Sequence, residues 1–589
     1  MKWKTVIFWI VALAALWCYF FYYASYTFDA QEEMQLFIPS WDTVWAELGK
    51  SGGAVRLMGM ATIQYFPVSS FAALANALAL TLAGVGVFLL LQLLAPRGYH
   101  LWLALFLPLC LLRIHIRLEY LIDGTYAFVI VLLTAWAVLR TCRERFHLPL
   151  GMAGALLVYW MAGQAVAVYG VVFFLFSFMP VRQAWRGLSV LAVSACLAFI
   201  GWRFAIQQPI TNGFHETDYF QTLLQPDAYI YHVWLRLTAT LVVICIVAYA
   251  LRRISFESKW RTRTVHTVLV ACTFLFGWMS MPDGNDMQNR MMDSLNYLVK
   301  RQRWDTILSM HQGREQISMV NLNYVNMALA QKGQLGNRLF SYSQHGPLGL
   351  MASYNLTYYI STVLSDVYYT IGDIATTESY AVEAMTLARR GGGSPRAMQR
   401  LVQTSLLRGD MPLASKYISI LSQMPMYRQW AKRYETYLSH PEALKDETEV
   451  AARRPGLQAD DNLLSFMPTD TLLTTHLADP ASGRTAYEYL GCHFMLDKDT
   501  ARMRQLLIDT ATDPAWQPMP VHFQEAAVML FEDSPELLAS MPVTAEVKQR
   551  YASFCQQMRS SGSTGRMALN REFGNTFWHY YYFNSFNHG

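Results

Sequence analysis

Charged residues are scarce in this sequence. They make up 15% of its 589 residues, while 53% are hydrophobic; an average soluble chain carries about 25% charged residues. The shortage is uneven, because long apolar runs fill the chain as far as Met281 and the remainder has an ordinary soluble composition. We therefore expect a polytopic transmembrane domain, residues 1–281, followed by a soluble domain.

The sequence also lacks the short motifs of several common chemistries. It has no Walker loop, no nucleophile elbow, no H-E-x-x-H and no C-x-x-C pair among its eight cysteines. The net charge of +5 is small and no continuous basic stripe appears, so we expect no nucleic-acid partner. Cys492 and Cys555 stand alone in the soluble half, and their spacing leaves open whether they pair.

The N-terminus resembles a secretory signal, since Lys2 and Lys4 precede an apolar run from Thr5 to Ala24. A cleaved signal peptide is one interpretation. The run is longer than such a signal needs, however, and no convincing small-x-small cleavage site follows it. We expect an uncleaved first span.

Eight further apolar stretches have roughly the length needed to cross about 30 Å of hydrocarbon, although several are short. They are Phe71–Leu94, Tyr99–Leu112, Tyr120–Leu139, Leu148–Trp160, Ala162–Phe178, Leu188–Phe204, Tyr229–Leu251 and Val265–Met281. Residues 148–178 are ambiguous, being long for one span and short for two. A hairpin of two short helices around Gly163 is favoured over one long tilted helix, which gives about nine spans.

Loop charge supports this count. With nine spans, thirteen basic residues beside the spans fall on one side, which the positive-inside rule makes cytoplasmic. They are Lys2, Lys4, Arg97, Arg140, Arg143, Arg145, Arg182, Arg186, Arg252, Arg253, Lys259, Arg261 and Arg263. One long helix in place of the hairpin would move Arg252–Arg263 outside. We therefore expect a bacterial inner-membrane protein with a cytoplasmic N-terminus and a periplasmic soluble domain.

The soluble half has a repeating helical pattern. In Leu364–Leu387 and in Leu401–Leu421, a Gly-Asp turn is followed by Tyr eight residues after the Gly and by a small or aliphatic residue after twelve. This spacing is typical of degenerate tetratricopeptide-like repeats. The sequence thus predicts an all-α chain with an extracytoplasmic α-solenoid over residues 282–570. For the aromatic tail, 571–589, we expect packing on the solenoid or at the membrane interface, with ligand stacking as the alternative.

The loop between the first two spans, residues 26–67, carries an acidic group at its start. Asp29, Glu32 and Glu33 are three and four residues apart, so they share one face if the loop begins as a helix. Solvated residues at a membrane boundary are the alternative interpretation. Since ionisable groups at a span exit are frequently functional, we select these three as candidate catalytic residues.

Several short stretches resemble an uncharacterised family of Bacteroidetes multi-pass membrane proteins. They are Glu32-Glu33-Met34-Gln35-Leu36-Phe37, Gly52-Gly53, Gln64-Tyr65-Phe66-Pro67 and Phe573-Gly574-Asn575-Thr576-Phe577-Trp578. The family typically reads Glu-Gln-x-Gln-Leu-Phe at the first motif, and Glu33 stands here in place of Gln. The resemblance covers nearly the whole chain and implies a multi-pass inner-membrane protein with a helical C-terminal domain, without an established activity.

In architecture alone, the chain is similar to polytopic glycosyltransferases that use lipid-linked sugars. Those enzymes place acidic residues in the first extracytoplasmic loop and often add a soluble domain on the same side. Glycosyl transfer from a lipid phosphate needs a carboxylate to activate the acceptor, and positive charge or a divalent metal to stabilise the departing phosphate. The resemblance implies a polyprenyl-phosphate lipid as donor.

The candidate substrate-binding residues lie in the later outer loops. His115, Arg117 and Glu119 form the second, where cations are unusual on the outer side. His215 lies in a further loop beside two acids without metal-ligand spacing. The enzyme hypothesis competes with a non-enzymatic scaffold that recruits envelope proteins through the solenoid. A transporter is less favoured, because the spans lack central charges and inverted repeats.

Overall fold

A computed structural model describes residues 3–94, 99–141, 144–178, 184–206, 233–252, 259–388, 393–446, 480–560 and 565–584, with isolated residues between 450 and 477. Over these residues the chain is helical, with short 3-10 turns and no strand. The all-α fold class is therefore confirmed for the described part.

Contacts divide the chain into two compact units. Unit 1 contains Met1–Ser294 together with the short segment Gln423–Tyr427. Unit 2 contains Leu295–Ser422 and Arg428–Gly589. The expected division at residue 281 rests on hydropathy rather than on contacts and stays a prediction.

Unit 1 is built from apolar helices and a few short amphipathic ones. In chain order they are α1 Trp3–Tyr23, α2 Ser25–Glu33, α3 Trp41–Leu48, α4 Gly53–Ile63, α5 Ser69–Leu94, α6 His100–Leu112, α7 Ile122–Thr141, α8 His147–Ala162, α9 Val166–Phe178, α10 Ala184–Ile200, α11 Val233–Arg252, α12 Lys259–Met279 and α13 Gly284–Lys300. Helix α13 belongs to unit 1 as far as Ser294 and to unit 2 from Leu295. Helix α5 lies at the centre, against α1, α6 and α7. Fourteen of its residues are buried, many of them Ala and Gly, which lets neighbouring backbones approach closely.

Six described stretches are long and apolar enough to cross a membrane, so the chain is a membrane protein. They are Trp3–Tyr23, Ser69–Leu94, Ile122–Arg140, Glu144–Ser177, Ala184–Phe204 and Val233–Leu251. A seventh is possible if α12 and α13, bent by 54°, count as one span. Helix α6 belongs to a shorter apolar stretch, His100–Ile116. The count of nine spans stays a prediction.

The stretch Glu144–Ser177 folds back on itself at Gly163. The Tyr169 hydroxyl on α9 donates a hydrogen bond to the Gly151 carbonyl on α8 at 3.2 Å. Eighteen residues of straight helix would separate these positions by about 27 Å. Gly163 has φ +59° and ψ −127°, a conformation that Gly adopts readily. The hairpin expected from loop charge is therefore present.

Two of the loops predicted to face outward and the hairpin tip lie at one end of unit 1. The Gln31 amide on α2 donates to the carbonyls of Arg117, Leu118 and Tyr120, in the turn between α6 and α7. At the hairpin tip, the Gly52 amide donates to the Trp160 carbonyl at 2.9 Å. These contacts bring the first outer loop, the second outer loop and the hairpin tip together.

Unit 2 continues the helical pattern. Its helices are α14 Trp304–His311, α15 Met319–Gln331, α16 Leu335–Arg338, α17 Tyr358–Ile371, α18 Ile374–Leu387, α19 Pro395–Arg408, α20 Met411–Ser422, α21 Arg428–Ser439, α22 Pro480–Asp497, α23 Thr500–Thr510, α24 Val521–Leu530, α25 Pro535–Ser540, α26 Ala545–Ser560, α27 Gly565–Phe573 and α28 Phe577–Phe583. From α17 to α21, each helix packs on the next. A solenoid formed from such pairs stays a prediction.

The two Gly-Asp turns join helices as their spacing predicts. Gly372 ends α17 in the left-handed region at φ +99°, and Gly409 ends α19 at φ +78°. Asp373 then caps α18 by accepting a hydrogen bond from the Thr376 amide at 2.9 Å. Gly terminates a helix and Asp begins the next one, which is the usual chemistry of a tight helix-turn-helix.

The aromatic tail, described as far as residue 584, packs within unit 2. Trp578 on α28 is fully buried, and its indole N–H donates to the Glu525 carbonyl at 2.8 Å. Its ring lies 5.0 Å from Tyr551 and 5.9 Å from Phe554, both on α26. The tail therefore completes a hydrophobic cluster.

Candidate functional site

The acidic start of the first outer loop is helical. Helix α2 follows α1 after Ala24 alone and spans nine residues. Its helical spacing places Asp29 one turn before Glu32 and Glu33, on one face, as the sequence predicts. All residues from Thr27 to Glu33 are buried, so α2 is enclosed on every side.

The three carboxyl groups are withdrawn from solvent. Glu32 and Glu33 have no exposed surface, and Asp29 keeps only 2% of its surface exposed. The alternative interpretation of solvated boundary residues is therefore wrong. A buried carboxylate is costly unless hydrogen bonds or charge partners offset its lost hydration. Burial of three such groups on one short helix marks α2 as the most unusual polar feature of unit 1.

Tyr427 lies on this acidic face. Its hydroxyl donates a hydrogen bond to Glu32 Oε2 at 2.7 Å, between side chains 395 residues apart in sequence. Burial raises the pKa of Tyr427 well above 10, and the negative charges of Glu32, Glu33 and Asp29 raise it further. The phenol therefore stays neutral and keeps its proton for donation. We call Asp29, Glu32, Glu33 and Tyr427 the acidic cluster.

Further polar contacts fix α2 in place. Besides the three hydrogen bonds from Gln31, the Thr27 hydroxyl donates to the Asp293 carboxylate on α13. The Gln35 amide, just beyond α2, donates to the Met60 carbonyl on α4 at 3.1 Å. These contacts hold the acidic helix between the second outer loop, α4 and α13.

His115 is a buried core residue of the second outer loop. Its ring nitrogens lie 2.8 Å from Asn76 Oδ1 and 2.7 Å from Thr125 Oγ1. The ring also packs between Phe20 and Tyr120. Both nitrogens thus have protein partners, and substrate binding by His115 would require one of these bonds to break. Its predicted binding role stays a prediction.

Arg113 and Arg117, which are predicted to lie on the outer side, have carboxylate partners near the start of α13. Arg113 donates to Asp283 and, at 2.7 Å, to Asp286. The Arg117 guanidinium lies 3.5 Å from Asp286 Oδ1. Although burial lowers the pKa of Arg113, the Asp286 and Asp283 carboxylates raise it above its usual value. These ion pairs account for the presence of Arg113 and Arg117 in this loop. A phosphate group would have to compete with Asp286 for Arg117.

The other predicted site residues divide into two groups. Glu119 is half-buried in the same loop as Arg117. His215 lies outside the described residues. Across the described ranges, no set of three His, Cys, Asp or Glu side chains is placed to hold a metal ion. The structure thus brings Asp29, Glu32 and Glu33 together, and links their helix to the Arg117 loop through Gln31.

Sequence reasoning missed Tyr427 and the partners of His115. Tyr427 belongs to the segment Gln423–Tyr427, whose local pattern carries no signal for unit 1. Asn76 and Thr125 lie on apolar helices, where a single polar residue is ordinary. Gln31 adjoins the acidic group and could have been found from its position before Glu32.

These features define a membrane protein that is helical over its described residues and has a buried carboxylate cluster. The chain belongs to a family of unknown function, DUF6057, whose family model matches residues 1–584. The expected membership of an uncharacterised family covering nearly the whole chain is confirmed. No curated protein and no solved structure matches the chain.

Proposed function

We propose that this protein is a glycosyltransferase-like enzyme of the bacterial inner membrane. It transfers a sugar from a polyprenyl-linked donor at the outer face, and unit 2 lies in the periplasm. Asp29, Glu32 and Glu33 supply the catalytic carboxylates. The proposal rests chiefly on the burial of these three carboxyl groups on one short helix at a span exit, where Glu32 accepts a hydrogen bond from a hydroxyl group.

Loop charge supports the side of the membrane that we propose for the site. The first loop, the turn after α6 and the hairpin tip share one end of unit 1. At the opposite ends of these helices, Arg140 lies in the last turn of α7, Arg145 in the 3-10 turn before α8 and Arg186 in the first turn of α10. Basic connections are cytoplasmic by the positive-inside rule, so the acidic cluster faces the periplasm. Lipid-linked sugars are substrates that a membrane-embedded site at this face would meet.

The chemistry requires a base and a site for the departing phosphate. A carboxylate of the acidic cluster would take the proton of an acceptor hydroxyl as the new glycosidic bond forms. Arg117 would stabilise the polyprenyl phosphate, exchanging Asp286 for the donor. The Gln31 side chain donates a hydrogen bond to the backbone carbonyl of Arg117. This bond connects the helix that carries the carboxylates to the loop that carries Arg117.

The test is a gene deletion complemented with three forms of the protein. These are wild type, the double variant E32Q/E33Q and the control E47Q. Gln keeps the size of Glu and removes its charge. Glu47 lies in the same loop but pairs with Lys50 and Arg56, outside the acidic cluster. Mass spectrometry then compares envelope glycans and lipids at matched expression level.

We expect deletion to remove a glycan or to accumulate its lipid-linked precursor. Wild type and E47Q should restore the normal profile, and E32Q/E33Q should not. A profile unchanged by the deletion itself would refute the transferase function. Restoration by E32Q/E33Q would exclude these two carboxylates from the reaction.

A non-enzymatic scaffold is the second candidate function. It is favoured by the successive packing of helices α17 to α21 and by an open cavity of about 640 Å³ bordered by α24, α25 and α26. Stacked helices of this kind present extended surfaces to protein partners. A deletion that changes envelope protein complexes, with normal glycans and lipids, would favour this function.

A further inference from the structure

The proposed catalytic carboxylates cannot meet a substrate in this structure. Glu32 and Glu33 have no solvent-accessible surface and Asp29 has almost none. A general base must come within hydrogen-bond distance of the hydroxyl group that it deprotonates. The structure is therefore a closed form of the site, and some group that covers the carboxylates has to leave before an acceptor enters.

The segment Gln423–Tyr427 supplies such a covering group. It joins α20 to α21 in sequence, yet it belongs to unit 1 by its contacts. Tyr427 is 5% exposed and Met424 1% exposed, whereas Met426 between them is exposed. Two of the five residues are thus buried, and the Tyr427 hydroxyl reaches Glu32 directly.

The Tyr427 hydroxyl reproduces the contact of an acceptor hydroxyl. It is neutral, it donates to Glu32 Oε2, and its 2.7 Å distance is that of a short O–H to carboxylate hydrogen bond. Glu33 and Asp29 are close enough to act on the same hydroxyl through their charge. An acceptor bound for deprotonation by Glu32 would need this same position.

We propose that Tyr427 occupies the acceptor position at Glu32, so that Gln423–Tyr427 is an autoinhibitory cover and the true acceptor is a hydroxyl-bearing molecule. This inference rests on the proposed function. When the segment withdraws, the acceptor oxygen bonds to the anomeric carbon of the polyprenyl-linked sugar. The bond from that carbon to the phosphate oxygen breaks, the phosphate leaves with the electron pair, and the acceptor proton passes to Glu32.

A purely structural role for Tyr427 makes a different prediction. If the hydroxyl only satisfied Glu32, removing it would destabilise unit 1 and lower any activity. If it blocks the acceptor, removing it exposes the carboxylates and preserves or raises activity. Two measurements, one chemical and one functional, separate these roles.

The first measurement is carboxyl labelling of the purified full-length protein in detergent. A water-soluble carbodiimide with an added amine modifies accessible carboxyl groups, and mass spectrometry reads the peptide that contains Asp29, Glu32 and Glu33. The variants are Y427F, which keeps the ring, and Y427A, which also removes it. Y417F is the matched control, since Tyr417 lies on α20, in unit 2.

We expect wild type and Y417F to label weakly at these carboxyl groups. Y427F should label several-fold more, and Y427A at least tenfold more, at an unchanged labelling of Glu47. Thermal unfolding of each variant identifies any change caused by global destabilisation, and Y427F decides the question if Y427A does not fold. Labelling of folded Y427F at the wild-type level would contradict the proposal that Gln423–Tyr427 covers these carboxyl groups.

The second measurement is complementation of the deletion strain with Y427F. We expect at least the wild-type amount of the affected glycan. A loss as complete as that of E32Q/E33Q, with Y427F folded, would show that Tyr427 is required and would overturn the acceptor mimic. If the deletion changes no glycan or lipid, the proposed transferase function is wrong. The labelling result would still show whether Gln423–Tyr427 covers the carboxyl groups.

Discussion

Gly52 and Gly163 meet backbone to backbone at the tip of the helical hairpin. A Cβ atom built on Gly52 would lie 3.2 Å from the Gly163 nitrogen, and both residues have positive φ angles. The Gly52 amide donates to the Trp160 carbonyl, and the Ser51 hydroxyl donates to the Tyr159 carbonyl at 3.0 Å. The hairpin therefore supports the loop that leads from α3 to α4.

We expect G163A to destabilise unit 1. Its φ and ψ angles lie in a region that side chains disfavour, at a cost of about 1–3 kcal/mol. The control is G277A, because a Cβ on Gly277 of α12 would make ordinary contacts of 3.6–3.8 Å with Leu109. Thermal unfolding in detergent should show a lower midpoint for G163A than for G277A. Equal midpoints would argue against the positive-φ backbone conformation of Gly163.

Arg113 links the second outer loop to the beginning of α13. Its partner Asp286 has a side chain only 2% exposed, so removal of the cation leaves a buried carboxylate without its main charge partner. We expect R113A to lower the free energy of unfolding by about 1–3 kcal/mol. The control is K50A, which removes an exposed pair with Glu47 worth about 0–1 kcal/mol.

The measurement is again thermal or denaturant unfolding of the purified protein. R113K is informative as well, since Lys keeps the charge but cannot bind two carboxylates through a planar fork. We expect its stability to lie between those of wild type and R113A. A loss in K50A as large as that in R113A would contradict the special role assigned to the Arg113 pairs.

The same pairs predict a dependence of stability on pH. A hydrogen bond from the Asp286 amide and the charge of Arg113 hold the pKa of Asp283 below its usual value of 3.8. The unfolded chain therefore binds a proton at a higher pH than the folded chain does. Asp283 makes its full contribution to the free energy of unfolding above the usual pKa of 3.8. This contribution is lost as the pH falls through the lower pKa of the folded state.

The expected result is a smaller acid-induced loss of stability in D283N than in wild type. Unfolding midpoints measured between about pH 6 and pH 3 would test it, because this range begins above the usual carboxyl pKa and ends below it. Parallel pH profiles for the two proteins would show that Asp283 contributes nothing in this range.

Local sequence patterns predicted local structure well. The spacing of Asp29, Glu32 and Glu33 predicted a shared helical face, and loop charge predicted the reversal at Gly163. Both features depend on residues close in sequence, or on a rule that applies to each loop separately. The burial of α2 could not be predicted in this way, because its polar residues are typical of a solvated segment.

Long-range partners were the part that the sequence did not reveal. Tyr427 reaches Glu32 across 395 residues, and Asp286 reaches Arg113 across 173. No periodicity connects positions so far apart. The Arg residues on the outer side did indicate that some anion should pair with them, but acidic residues in several loops could have served. Only the fold selects Asp283 and Asp286.

The two cysteines of the soluble half give a test of unit 2. The possible pairing of Cys492 with Cys555 is not observed, since both are free thiols. Cys492 has no exposed surface, and burial raises the pKa of its thiol well above 9. Cys555 instead lines the cavity of about 640 Å³, together with Lys548 and Arg559.

We expect a maleimide at neutral pH to modify Cys555 and to leave Cys492 unmodified in the folded protein. The thiolate is the reactive form, so a buried thiol with a raised pKa reacts slowly. Peptide mapping by mass spectrometry reads each site, and the denatured protein provides the control in which both react. Labelling of Cys492 at the rate of Cys555 would mean that Cys492 is not buried in solution. Protection of Cys555 in the folded protein would instead mean that the cavity is closed in solution.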